Sequence, residues 1–177
     1  LTIGWTHTIA LIRRAWTKAH NPCRKRCSFI EFRKYGHVMA KKKKTIAQEV
    51  EAAARLLQKL VRLKAANDNG LCQCVSCGNW HHWKDMQGGH FISRRYTRWK
   101  LAEENVHSQC VGCNGFGMKF GNAEAAYTAW MIDFYGRDLV DEMLATKHET
   151  KKYTRQEVAE LVEDWKAQIK DHERRVA

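Results

Sequence analysis

Cys74-Val-Ser-Cys77 and Cys110-Val-Gly-Cys113-Asn114 bracket the stretch whose reading decides the fold. Two C-x-x-C knuckles supply four soft thiolates, the set that closes one tetrahedral structural zinc with no open coordination position. An ordinary zinc ribbon leaves up to about twenty residues between its knuckles. Here thirty-two intervene, and they include Gly88-Gly89-His90 and Asn105-Val106-His107, which the zinc does not need. The interval has room for a second site mounted on the metal staple.

Working outward, residues 71 to 92 are short, aromatic-rich and punctuated by glycine, the texture of a hairpin. Cys74 to Cys77 makes its first knuckle, Asn79 to Asp85 its excursion and Gln87 to Ile92 its returning strand. Gly88 and Gly89 mark a close approach by another backbone or a ligand. Ser93 to Lys100 is then a basic loop with Tyr96 and Trp99 interleaved, and Arg94, Arg95, Arg98 and Lys100, with Lys119 further on, suit phosphate contacts. A second short strand is predicted over Asn105 to His107, and the second knuckle leads into a helix starting near Asn114. Cys72 reads as a bystander, because Cys74, Cys77, Cys110 and Cys113 already make four.

The flanks are helical. Ile46, Val50, Ala53, Leu57 and Leu60-Val61 recur at three- and four-residue steps, and Asn67-Asp-Asn-Gly70 ends that helix. Beyond residue 122, Ala123, Ala126, Trp130 and Phe134 form one apolar stripe, and Leu139, Val140, Met143 and Leu144 form another. Thr154-Arg-Gln-Glu157 has capping-box spacing ahead of Val158, Leu161, Val162, Trp165 and Ile169. Trp130 and Trp165 read as core anchors.

The chain has 177 residues, about one domain with extensions, and a formal charge of +12, which points to a polyanionic partner. Residues 1 to 44 carry twelve basic residues and one acidic, so most of the excess lies in that leader. Residues 1 to 38 read as a poorly ordered arm or an upstream extension, with Met39 a natural start before Lys41 to Lys44. Cys23 and Cys27 are unsupported as ligands. Seven cysteines, an odd number with four in knuckles, favour a metal in a reducing compartment over a secreted disulfide framework. No apolar run is long enough to span a membrane, and Leu1-Thr-Ile-Gly-Trp lacks the plan of a signal peptide.

His90, Asn105 and Asn114, in this order of parts, resemble the three motif positions of the HNH nuclease superfamily, the ββα-metal (His-Me) finger, with asparagine in third place. More narrowly, Gln87-Gly-Gly-His90, Asn105-Val-His-Ser-Gln-Cys-Val-Gly-Cys-Asn114 and Gly121-Asn122 are similar to the NinG/Rap recombination nucleases of lambdoid phages. The similarity runs on thinly through Tyr127, Gly136, Val140-Asp141-Glu142, Thr154 and Glu157, and covers about residues 71 to 172. It implies an α+β fold, in which a zinc-stapled finger over 71–122 is flanked by a helix at 45–70 and a helical extension at 123–177. It also implies a metal-dependent endonuclease that cuts branched DNA such as D-loops and Holliday junctions, in the cytoplasm of a bacterial host. A homodimer would supply the two sites that cutting both strands requires.

The chemistry agrees with these residue types. Phosphodiester hydrolysis needs a base near working pH, which His90 provides as neutral imidazole. The resemblance makes Asn105 the residue that steadies this ring or the strand pairing behind it, and Asn114 an oxygen ligand of Mg²⁺ or Mn²⁺. Asn at 114 also suits a helix N-cap. Many relatives of this type carry aspartate immediately before the base, where this chain has Gly89; Asp85, Gln87 or His107 are the substitutes, or the metal is held by Asn114, waters and the substrate phosphate. Two other readings remain: a catalytically silent zinc module that binds nucleic acid, and a sequence-specific HNH enzyme of homing or restriction type. The thiolate staple matters in each, because structural zinc in finger peptides supplies roughly 10–16 kcal/mol to units too small to hold themselves together.

Overall fold

The structure, a computed structural model, describes residues 43–177, so the expectations for the leader up to residue 42 lie outside the described residues. Helix α1 (Ile46–Ala65) starts at Thr45, whose side chain accepts the Gln48 N–H while the Gln48 side chain accepts the Thr45 N–H. Two orphan donors at the helix start are thereby satisfied. The predicted stripe is the buried face: Val50, Ala53, Ala54, Leu57, Leu60, Val61 and Leu63. After the helix, Asn67 Oδ1 accepts the N–H groups of Asn69 and Leu71, and Gly70 turns the chain at φ +72.

Four short strands follow in two antiparallel pairs. Strand β1 (Leu71–Gln73) pairs with β2 (Trp80–His82) around the first knuckle. Strand β3 (Met86–His90) pairs with β4 (Val106–Cys110), in register from Met86 opposite Cys110 to His90 opposite Val106. This corrects the single hairpin expected over 71–92, since β3 takes β4 and not β1 as its partner. A 3₁₀ turn at Trp83–Asp85 separates the pairs and buries Trp83, so the predicted excursion ends in a core anchor. The second strand also extends further than expected and carries the second knuckle into the sheet. Helix α1 lies so close on β3 that a Cβ at Gly88 would stand 2.7 Å from Gln58 Cβ and 2.8 Å from its Cα.

Beyond the second knuckle the chain makes a wide helical turn (Cys113–Gly117) and a short one (Met118–Phe120), in place of the regular helix expected from Asn114. Helices α2 (Ala123–Tyr135), α3 (Arg137–Thr146) and α4 (Arg155–Arg175) complete the described chain. Helix α2 buries Ala123, Tyr127 and Met131, while Phe134 is 66% exposed. Of the expected stripe, Ala123 is buried and Trp130 packs half-buried against the core, but Tyr127 and Met131 form the centre of the buried face and Phe134 stands outside it. Apolar and aromatic residues occur all round this helix, so periodicity gave it no phase. Helix α4 opens on the predicted capping box, with Thr154 accepting from the Glu157 N–H, and buries Val158, Trp165 and Ile169 against α1. Lys59–Glu173 and Arg155–Glu49 ion pairs flank that contact.

The apolar residues form two clusters. One joins α1 and α4 to β1, β3 and β4, and the other joins Ile92 to Tyr127, Met131, Val140 and Met143. This mixed helix and small-sheet architecture is α+β, as expected. No helix among the described residues is long and apolar enough to cross a membrane.

Candidate metal centre and cleft

The two knuckles meet. The sulfurs of Cys74, Cys77, Cys110 and Cys113 all lie within 4.8 Å of one another, and Cys77 Sγ is 3.9 Å from Cys110 Sγ. Tetrahedral zinc with bonds of about 2.3 Å places its sulfurs about 3.8 Å apart, so the donor set fits and can hold a metal such as zinc. Gly78 closes the first knuckle at φ +73, its N–H donating to the Cys74 carbonyl at 2.9 Å. Burial pushes the Cys74 thiol up, but N–H groups of Cys110, Cys77 and Ser76 more than offset this and leave it below its usual range. Burial, and then the neighbouring sulfurs of Cys110 and Cys77, drive the Cys113 thiol far up. Four sulfurs this close cannot all ionise without a cation among them. Cys72 stays outside the cluster, buried, with Sγ 3.3 Å from Ser108 Oγ.

His90 ends β3, and Asn114 stands in the wide turn after the second knuckle. Both line one open cleft of about 810 Å³, together with Arg94, Arg95 and Lys119. Burial, and then the Arg94 cation, push the His90 imidazole down to about 4, against a smaller opposing effect of the Lys100 carbonyl. Its Nε2 is buried with no hydrogen-bond partner among the described residues. The ring is therefore neutral at pH 7, with Nε2 enclosed by protein. Asn114 Nδ2 donates to Gln87 Oε1 at 2.6 Å, which leaves the Asn114 oxygen as acceptor. Glu124, from the first turn of α2, contributes a carboxylate to the same cleft.

Asn105 is wholly buried and does not hold the imidazole. Its Oδ1 accepts the Ile92 N–H at 2.6 Å, and its Nδ2 donates to the carbonyls of Ile92 and Trp99, both at 2.9 Å. One amide thereby ties both ends of the loop that carries Arg94 and Arg95. The other basic residues of that loop are engaged. Lys100, only 12% exposed in its side chain, is paired with Glu51, and Arg98 reaches Glu149 at 3.5 Å. Of the five residues expected on phosphates, Arg94, Arg95 and Lys119 line the cleft, while these two bind carboxylates.

His107 and Asp85 are not in the cleft lining. Both His107 ring nitrogens are taken, Nδ1 by Tyr127 Oη at 2.8 Å and Nε2 by Tyr135 Oη at 3.0 Å. Burial pushes this imidazole down to about 4 as well. The Tyr127 hydroxyl also donates to the Gly89 carbonyl at 3.1 Å, so the network braces the peptide just before His90. Asp85 closes the exposed end of the 3₁₀ turn.

Gln109 is a participant that spacing did not reveal. It is wholly buried, its Nε2 donates to Ser76 Oγ at 2.7 Å, and its Oε1 sits 1.8 Å from where a Cβ at Gly89 would be. Gly88-Gly89 was the available signal, since it marked a close approach; the approaching groups are Gln58 and Gln109. Glu124 had no signal beyond its place in a helix start.

A family model described as "Bacteriophage Lambda NinG protein" matches residues 10–175. The match takes in most of the basic leader as well as the described residues. "Protein ninG" of Escherichia phage lambda and that of Salmonella phage P22 are each 28% identical to this chain over 98 residues, 55% of this chain and 46% of theirs. The protein of the same name from Escherichia phage 933W is 28% identical over the same length and 47% of its own. The chain thus aligns with about half the length of these relatives. No solved structure matches.

Proposed function

This chain belongs to the bacteriophage lambda NinG family, and on that premise we propose that it is an HNH-type, metal-dependent DNA endonuclease acting on branched recombination intermediates. The observation that carries the reading is the shared cleft. It sets a neutral imidazole and an amide oxygen beside three cations, the groups that phosphodiester hydrolysis on a polyanion calls for. The succession of β3, β4 and a helical turn off a cysteine cluster also suits a ββα-metal finger.

In this reading Arg94, Arg95 and Lys119 hold backbone phosphates on either side of the scissile one. The His90 imidazole takes the proton of the attacking water; its lowered pKa keeps the ring free of a proton at pH 7, at the expense of basicity. Asn114 and Glu124 are the oxygen donors that would hold Mg²⁺ or Mn²⁺, and such an ion supplies charge for the developing phosphorane and the leaving alkoxide. Gln87 orients the Asn114 amide, and Asn105 fixes the loop that presents the arginines.

Cleavage of a four-way junction and of a linear duplex, with Mg²⁺ or Mn²⁺, tests this against a silent binding module. His90→Ala should slow junction cleavage by roughly 10²- to 10⁴-fold while leaving junction affinity in place. Equal cutting by wild type and variant, or none by either, would sink the proposal. Cutting of one linear sequence in preference to any branch would favour the homing or restriction type.

A further inference from the structure

We infer that Phe116 and Phe120 form an aromatic wedge that stacks on unpaired or unstacked bases at a DNA branch, and so set substrate choice beside the cleft. The inference rests on the reading of that cleft as a DNA site. Both rings stand in water, at 71% and 74% exposure, and neither belongs to either apolar cluster. They pair with each other instead, centroids 5.1 Å apart and planes inclined at 40°. Two large aromatics placed side by side in solvent are an unusual surface for a chain with two apolar clusters to fill.

Their position indicates what covers them. Phe116 follows Asn114 by two residues in the wide turn, and Phe120 follows Lys119, so the wedge grows from the same ten residues that line the cleft with an amide and a cation. Lys119 is the only charged residue from Val111 to Asn122, and Arg94 and Arg95 complete a positive rim. A polyanion whose bases present flat apolar faces matches an aromatic pair next to a row of cations. The turn also has open space around it, since a Cβ at Gly112 or Gly115 would meet nothing within 4 Å. In continuous duplex every base is already stacked, whereas a branch point offers faces without neighbours. The wedge therefore discriminates by what the substrate lacks, independently of any contact to base edges.

The test uses the full chain loaded with zinc and without added Mg²⁺ or Mn²⁺, so that binding is read without cleavage. Its probes are a four-way junction with 2-aminopurine at the crossover and a linear duplex of the same sequence. Wild type should perturb the 2-aminopurine signal and prefer the junction. Phe116→Ala/Phe120→Ala should lose the signal change and weaken junction binding by roughly 5- to 150-fold for one stacked base, with duplex binding unchanged. Phe116→Trp/Phe120→Trp should restore both. Equal loss on junction and duplex, or no loss on either, would overturn the wedge while leaving the nuclease proposal in place. A changed oligomeric state in the alanine variant would overturn it too, because a second copy would then be what covers the rings. Failure of wild type to bind either DNA would overturn both proposals together.

Discussion

Asn105→Ala removes the amide that closes the loop between β3 and β4, and its cost can be worked from the three bonds it makes. The Ile92 N–H loses its acceptor at 2.6 Å, and the Ile92 and Trp99 carbonyls lose donors at 2.9 Å. Asn105 is 0% exposed, so no water replaces these partners without structural change. An unsatisfied buried donor costs about 1–3 kcal/mol and a carbonyl somewhat less, which gives a total of about 3–5 kcal/mol. That is a large share of the roughly 5–15 kcal/mol that holds an ordinary domain together. Urea titration followed by tryptophan fluorescence measures it, and limited proteolysis should show early cuts between residues 93 and 100. Asn105→Asp separates the roles of the two ends of the amide. The carboxylate still accepts from Ile92 but faces two carbonyl oxygens, so burial raises its pKa, and its deficit relative to wild type should narrow as pH falls toward 4. A loss below about 1 kcal/mol in the alanine variant, with the loop still resistant to protease, would refute the assignment of Asn105 as the tie of this loop.

Other outcomes follow from the same geometry. His90 and His107 are both lowered to about 4 from 6.5, so each stays neutral in the fold while the unfolded chain takes up protons below pH 6.5. Stability is complete above that pH and should fall by up to about 3 kcal/mol per histidine as pH drops toward 4, with His107→Gln reducing the slope by about half in pH-dependent urea titrations. Metal analysis should find one tightly held zinc per chain, lost in Cys110→Ser together with cooperative unfolding but retained in Cys72→Ala, whose sulfur lies outside the cluster. Arg94→Ala and Arg95→Ala should each lower the slope of log affinity for duplex DNA against log salt by about 0.9, whereas Lys100→Ala, already bound to Glu51, should not.

What could be read in the chain depended on how local the cause was. The cysteine knuckles and the Thr154–Glu157 cap were legible because each is fixed by a few neighbouring residues whose chemistry admits little else. The buried face of α1 was legible because polar residues interrupt it on schedule. In α2 they do not, and the buried face passed to Tyr127, whose hydroxyl finds His107 and Gly89. The partner of β3 was hidden because a five-residue strand with two glycines carries no alternation to register. Lys100 looked like a phosphate ligand because its carboxylate, Glu51, lies 49 residues away. His107 looked available because the tyrosines that occupy it are 20 and 28 residues further on.

Gly89 shows how a missing motif residue can be explained by packing. The proposed HNH reading would lead one to expect aspartate there, but a side chain at 89 would run into Gln109 Oε1 at 1.8 Å. Gln109 could move aside only by giving up Ser76, in a site that is wholly buried. The two residues are therefore a matched pair, glycine because glutamine fills its space. Restoring the aspartate alone should overpack this sheet by about 1–3 kcal/mol without creating a ligand in the cleft. In the proposed metal site an oxygen to complement Asn114 would come from another element, and Glu124, carried in by the first turn of α2, is the carboxylate that lines the cleft. Helix α2 then serves the site twice, through Glu124 at its start and through Tyr127 one turn later, braced on the carbonyl of the same glycine.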